Sequence, residues 1–335
     1  MNILLTGGTG YVGSHIVVSL FKAGYKPVIF DNFCNSQWSV FGRLRQILGN
    51  TLSCIEGDVR NTPLLEKVLR SHKIEAVVHL AGLKAVGESV ADPIKYYENN
   101  VQGAISLLTA MKSTNVKNLV FSSSATVYGN PEYLPIDEAH PASPTNPYGR
   151  NKLTVEEMLK DVALSDLSWK ILCLRYFNPV GAHDSGLIGE DSGGVPNNLM
   201  PYITNVALRK EPVLNIYGND YLTIDGTGVR DYVHVMDLAD GHLAAIKFLG
   251  CHFGWSAINL GTGRGFSVLE VIRAFEDACK VEIPYQFVGR RPGDIAACFA
   301  KVDLAKNILQ WQAKRNLREM CEDSWRFCQY DSYNK

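Results

Sequence analysis

The sequence predicts an α/β protein: a doubly wound parallel sheet with a smaller α/β lobe that binds substrate. Three observations carry that reading. Through the first half of the chain, short β-branched runs alternate with stretches of helical periodicity, which is how a parallel sheet with crossover helices reads. A glycine-rich turn joins the first run to the first helical stretch. At 335 residues the chain also exceeds the roughly 250 to 300 residues at which one hydrophobic core stops growing.

In chain order, the predicted strands are Ile3 to Leu5, Pro27 to Phe30, Leu52 to Ile55, Ala76 to Leu80, Leu119 to Ser122 and Lys170 to Leu174. Between them, residues 12 to 23, 64 to 71, 98 to 111 and 148 to 164 carry apolar residues at helical spacing. Right-handed crossovers between six such strands make a doubly wound sheet. After about residue 178 the pattern changes: Pro179, Gly181, Gly186, Gly189, Gly193, Gly194 and Pro196 punctuate a long segment with little periodicity, and long irregular loops usually bind something. Helical spacing returns at 237 to 249, 267 to 279 and about 316 to 328. Residues 1 to 177 are therefore assigned to the nucleotide-binding sheet domain and 178 to 335 mainly to the smaller lobe, with about 230 to 262 returning to the first.

Composition narrows the function classes. Lys and Arg number 33 against 34 for Asp and Glu, a net charge of -1, so the overall balance recommends neither nucleic acid nor an anionic membrane as partner. No apolar run reaches the ~18 residues of a membrane span, and the start, Met1 to Gly7, lacks the features of a signal peptide. The 8 cysteines form no Cys-x-x-Cys pair and none has a His at metal spacing, so no metal is expected and a reduced, cytoplasmic setting is.

Gly7-Gly8-Thr9-Gly10-Tyr11-Val12-Gly13 follows the first strand and opens the first helix, satisfying Gly-x-Gly-x-x-Gly spacing in the right context. Such glycines allow a tight turn and close approach of the backbone to a pyrophosphate, while the helix start aims N–H groups at the anion. Asp31 ends the second strand, where a carboxylate accepts from a ribose diol. No Arg or Lys in residues 31 to 37 is available to a 2′-phosphate, so this Rossmann-type unit is read as binding NAD rather than NADP. Asp58 ends the third strand and either accepts from the adenine amino group or caps its own loop.

Tyr148 and Lys152 stand at i and i+4, on one face of a helix beginning near 147. An ammonium and a positive nicotinamide nearby favour the phenolate, making Tyr148 a candidate general acid/base. Alone, the spacing is a common chance match. The hydroxyl-rich strand end Ser122-Ser123-Ser124-Ala125-Thr126 strengthens it, because a doubly wound sheet places its ligand crevice there and Ser124 is placed to hold a substrate hydroxyl.

With these features in hand, the chain resembles the UDP-glucose 4-epimerases, a branch of the extended short-chain dehydrogenase/reductases, over essentially its whole length. The matching stretches include Leu5 to Ser14, Ala81 to Val90, Ser122 to Gly129, Leu174 to Ala182, Pro196 to Tyr202 and Asp225 to His242. The resemblance implies a dinucleotide site of Gly7, Gly10, Tyr11, Val12, Gly13, Asp31, Asn32, Asn35, Ser36, Asp58, Val59, Leu80, Ala81, Gly82, Lys84, Asn99, Ser122, Tyr148, Lys152 and Phe177. It implies a UDP-hexose site of Ser124, Tyr148, Asn178, Asn198, Leu199, Asn215, Ile216, Tyr217, Arg230, Arg291, Asp294 and Cys298. Two arginines suit a diphosphate, although Arg230 by itself also reads as a salt-bridge partner of Asp231 or Asp225.

The implied reaction is reversible 4-epimerisation of UDP-glucose and UDP-galactose through a transient 4-keto sugar and bound NADH, in a homodimer joined near 98 to 111 and 148 to 164. A nucleotide-sugar 4,6-dehydratase is the nearest rival; where that family carries Asp-Glu, this chain has Ala125 and Thr126. A non-catalytic NAD-binding regulator is the other, and the intact Tyr148/Lys152 pair speaks against it. Three departures stand out. Arg150 and Asn151 replace the usual Lys and Ser and are expected off the active face, and Asn215 replaces a small apolar residue. Cys298 stands where relatives restricted to UDP-glucose and UDP-galactose carry Tyr; it either leaves room for an N-acetyl group, extending the range to UDP-GlcNAc and UDP-GalNAc, or fills a core gap.

Overall fold

The computed structural model describes residues 1–191, 196, 198–291 and 293–334; Gly193, Gly194 and Asn197 of the expected binding loop lie outside the described residues. The first half runs β1 (Asn2–Thr6), α1 (Tyr11–Lys22), β2 (Lys26–Asp31), α2 (Trp38–Leu48), β3 (Ser53–Glu56), α3 (Thr62–Ser71) and β4 (Ala76–His79). It continues through α4 (Val86–Ala91), α5 (Pro93–Tyr96), α6 (Gly103–Ser113), β5 (Asn118–Ser124), α7 (Pro147–Ser165) and β6 (Lys170–Tyr176). All six predicted strands form. The sheet has seven, ordered β3-β2-β1-β4-β5-β6 and then Gly254–Leu260, every pair parallel.

The apolar runs of the strands follow from burial on both faces. Successive side chains alternate, so Ile3 and Leu5 enter one core with α1 and the helix Val235–Phe248, while Leu4 enters the other with α3, α6 and α7. Each fully buried Ile or Leu contributes about 2 kcal/mol of hydrophobic stabilisation. Asn146 starts α7 sharply: its side chain accepts from the Gly149 N–H and Pro147 supplies the first helical residue.

The order of the strands reverses between β1 and β4, which opens a crevice at their carboxyl ends. A third core, containing Val180, Met200, Ile203, Leu214, Phe275 and Met320, supports the smaller lobe on the far side of that crevice. Its strands are short pairs: Asn178–Val180 beside Tyr232–His234, Leu214–Tyr217 beside Tyr285–Val288, and Val229–Arg230 between Phe266–Ser267 and Ala297–Cys298. The segment after 178, expected to show little regular structure, contains the helix Leu199–Ala207. Among the described residues no helix is long and apolar enough to cross a membrane.

Candidate active site

The glycine turn is crowded by its own fold. Gly7 has φ +74°, and a Cβ there would lie 2.8 Å from the Ala81 nitrogen; a Cβ on Gly13 would lie 2.1 Å from the Gly7 carbonyl oxygen. Gly10 caps α1 without a side-chain bond and no acidic residue stands in the first turn, so the positive helix end is open to an anion. Asp31, buried at the end of β2, accepts from the Thr9 N–H and the Phe33 N–H at 3.0 Å each. Ser36 bonds the Thr9 hydroxyl at 2.7 Å, drawing the 31–36 loop, with exposed Asn32 and Asn35, over the turn. The Asp58 carboxylate receives the forked guanidinium of Arg60, at 2.9 and 2.7 Å, and that bond holds its pKa below the usual value. The Arg60 N–H also donates to this carboxylate at 2.8 Å, a local capping contact.

Across the crevice, Leu80, Ala81 and Gly82 follow β4. Asn100 braces them: its amide accepts from the Leu83 N–H at 2.8 Å and donates to the Leu83 carbonyl at 3.0 Å. Asn99 and Asn100 sit on a π-helical segment, Tyr97–Gln102, an irregularity frequently found at functional sites. Val59 is buried against Gly103, where a Cβ would come within 2.7 Å of it.

The end of β5 meets the first turns of α7. Lys152 is only 7% exposed; its ammonium donates to the Ser122 carbonyl at 2.7 Å and lies 5.8 Å from the centre of the Tyr148 ring. The Ser124 hydroxyl accepts from the Thr126 N–H and hydroxyl, at 3.2 and 3.0 Å, and so caps the short turn Ala125–Val127. One helical turn beyond Lys152, buried Glu156 pairs with buried Arg175 and accepts from the Ser123 hydroxyl; Arg175 also donates to the Tyr128 hydroxyl at 3.1 Å. Tyr148, Lys152 and Glu156 thus line one face of α7 against the three serines of β5.

Burial lowers the Lys152 pKa from 10.5 to about 8, with Glu156 and Cys173 acting against it. For Tyr148 the expectation reverses. Burial pushes the phenol well above its usual 10.0, Tyr176 adds to the rise and Ser124 opposes it. Desolvation of the phenolate outweighs the lysine within the protein itself.

Facing this wall, the Asn178 N–H donates to the Asp231 carbonyl at 2.9 Å, while Phe177 and Cys298 are buried in one apolar cluster with Ala125, Val127 and Tyr128. Arg230 is the register partner of Cys298, and its guanidinium donates to the Val229 and Ile295 carbonyls at 2.9 Å each. The alternative partners are engaged elsewhere: Asp231 accepts from Thr262 and Asp225 from Thr227. Arg291 lies 4.7 Å from the centre of the Tyr217 ring and pairs with Asp294 at 2.9 Å. Asn215 accepts from Gln286 at 2.8 Å.

The Ile216 side chain is 2% exposed and packs in the small-lobe core, because strand alternation turns it away from Asn215 and Tyr217, so only its backbone faces the site. Leu199 is partly buried against the same core. Arg150 is exposed and Asn151 fully buried.

These two walls put a dinucleotide cradle and a phenol-ammonium-hydroxyl group on one crevice. A family model described as GDP-mannose 4,6 dehydratase matches residues 4–324. The chain is 54% identical to the UDP-glucose 4-epimerase of Bacillus subtilis over 327 residues, covering 98% of this chain and 96% of that one. The chain belongs to the UDP-glucose 4-epimerase family. Its structure superposes with TM-score 0.98 and 47% identity, over 100% of both chains, on the family member from Stenotrophomonas maltophila, which holds NAD and formylated UDP-arabinopyranose. The UDP-Glc/GlcNAc 4-epimerase of Campylobacter jejuni matches with TM-score 0.85 and 32% identity, over 98% of this chain and 99% of that one.

Sequence reasoning missed several family-site neighbours. Ser89, fully buried, accepts from the Tyr148 N–H at 3.2 Å; Tyr176 bonds the Ser122 hydroxyl; Asn100 and Glu190 face the crevice loops. Ser89 and Tyr176 lie in stretches that carry the family resemblance, but the contacts of Ser89, Tyr176 and Asn100 join residues 59, 54 and 17 apart and leave no local pattern.

Proposed function

We propose that this enzyme interconverts UDP-glucose and UDP-galactose with NAD bound in the crevice, and that it also accepts UDP-GlcNAc and UDP-GalNAc. The observation that carries the reaction is the placement of Tyr148 and Lys152 against Ser122 and Ser124 at the end of β5. The residues present fit NAD: the α1 terminus is open to a pyrophosphate and Asp31 stands where a ribose diol is received. When bound, NAD accepts and returns the C4 hydride, and its positive ring favours the phenolate that burial opposes. Tyr148 takes the proton from the sugar O4 and gives it back after the 4-keto sugar has turned its other face. Ser124 holds O4, and Lys152 holds the nicotinamide ribose and stabilises the phenolate. Dehydration needs a further acid/base pair, and Ala125 and Thr126 do not supply it.

The wider range rests on Cys298. It is buried beside Phe177 and Ala125, and its side chain is much smaller than a tyrosine. Incubating the enzyme separately with UDP-galactose and UDP-GalNAc, without added NAD, and resolving the 4-epimers by chromatography tests both parts. Turnover of both is expected, and Cys298→Tyr should remove the second selectively. No epimerisation of UDP-galactose overturns the reaction; activity on UDP-galactose alone overturns the wider range.

The proposed enzyme is a homodimer joined near 98 to 111 and 148 to 164; exposed Ile105 on α6 and Leu164 on α7, with Tyr97 of the π-helical segment nearby in sequence, support it. Ile105→Glu should yield monomers in sedimentation velocity.

A further inference from the structure

The loop after β4 and the head of the helix Leu199–Ala207 belong to opposite walls of the crevice, and one carboxylate joins them. Glu190 Oε1 accepts from the Lys84 ammonium at 3.1 Å and from the Asn198 amide at 2.7 Å. The Glu190 side chain is 12% exposed, whereas that of Lys84 is 55% exposed. A charge-assisted bond to a mostly buried carboxylate is stronger than a surface pair, and because both donors use the same oxygen, a shift of the carboxylate that loses one partner displaces the acceptor of the other. The same neighbourhood holds the start of α1: the Tyr11 hydroxyl donates to the Gly181 carbonyl at 2.7 Å and its ring centre lies 5.9 Å from the Lys84 ammonium. Burial and then the Glu190 charge raise the Tyr11 pKa well above its usual value, so Tyr11 stays a neutral donor.

We infer that Glu190 is a positioning residue coupling the two halves of the site: it ties the dinucleotide contact Lys84 to the UDP-sugar contact Asn198, so that occupancy of one side sets the affinity of the other. This rests on the contacts proposed for those two residues. The Lys84 ammonium fixes the carboxylate, and the carboxylate holds the Asn198 amide in place for the ligand. Removing the lysine releases the carboxylate and loosens Asn198, although Lys84 stands on the cofactor side. Coupling between sites is reciprocal and commonly five- to 150-fold.

The test is a double-mutant cycle on the NAD-loaded enzyme, with UDP as probe, measuring its Kd by calorimetry and NAD retention after gel filtration. Lys84→Ala should weaken UDP binding about five- to tenfold in the wild-type background and leave it unchanged when Glu190→Gln is already present. Asn198→Ala should in turn lower NAD retention in the wild-type background alone. If Lys84→Ala does not lower NAD retention, or Asn198→Ala does not weaken UDP binding, the contact assignments fall and the coupling with them. If both direct effects appear but the cross effects are absent, or persist undiminished with Glu190→Gln, the coupling alone is overturned.

Discussion

Replacing Lys152 by Met should make the protein more stable while removing most of its activity. Burial brings the Lys152 pKa from 10.5 to about 8, which corresponds to about 3 kcal/mol for keeping a cation out of water. Met has nearly the same shape and no charge. It leaves the Ser122 carbonyl without its donor, at a cost of about 1 kcal/mol, so the net gain is about 2 kcal/mol. With an unfolding entropy near 2.1 cal/mol/K per residue over 335 residues, about 0.7 kcal/mol/K, Tm should rise by about 3 °C. The sign with pH is fixed. The folded pKa is depressed, so below pH 8 both folded and unfolded states carry the proton and wild type bears the full penalty. Between about 8 and 10.5 the folded state releases its proton first, the stability of wild type rises, and the gap to the variant closes. The assay is calorimetry from pH 6 to 10 on protein freed of nucleotide, so that lost ligand binding does not enter. A variant less stable than wild type at pH 7, or a gap that does not shrink with pH, refutes the assignment of Lys152 as a buried cation held at an energetic cost.

Three other outcomes follow from the same geometry. Tyr148→Phe should lower kcat by several orders of magnitude, measured with UDP-galactose, and shift stability by less than about 1 kcal/mol, since the ring and its packing remain. Arg175→Met leaves Glu156 buried and unpaired and should cost about 3–5 kcal/mol in urea unfolding, whereas exchanging both residues for apolar ones should restore much of the loss. Gly13→Ala drives a Cβ to 2.1 Å from the Gly7 carbonyl, so α1 must shift away from the turn; NAD retention after gel filtration should be lost.

Much of this protein is local, and what is local was readable from the chain. The six strands and the glycine turn depend on neighbours a few residues away, as does the Tyr148/Lys152 pair one turn apart on α7. Other elements escape such a reading. Helix α2 carries Val40, Phe41, Leu44, Ile47 and Leu48 at helical spacing, with only Leu44 fully buried, and is missing from the predicted elements. The seventh strand, Gly254–Leu260, takes its place by pairing with β6 across an intervening segment that holds helices Leu199–Ala207 and Val235–Phe248.

Residue types and spacings by themselves determined the fold class and the cofactor class and set Tyr148 and Lys152 on one helix face, because each follows from short-range backbone geometry and side-chain chemistry. Only the tertiary structure decided the charge states and the cross-crevice contacts. The Tyr148 pKa rises because desolvation sums over everything packed around the phenol, and Glu190 reaches Lys84 only after folding brings residues 106 apart to 3.1 Å.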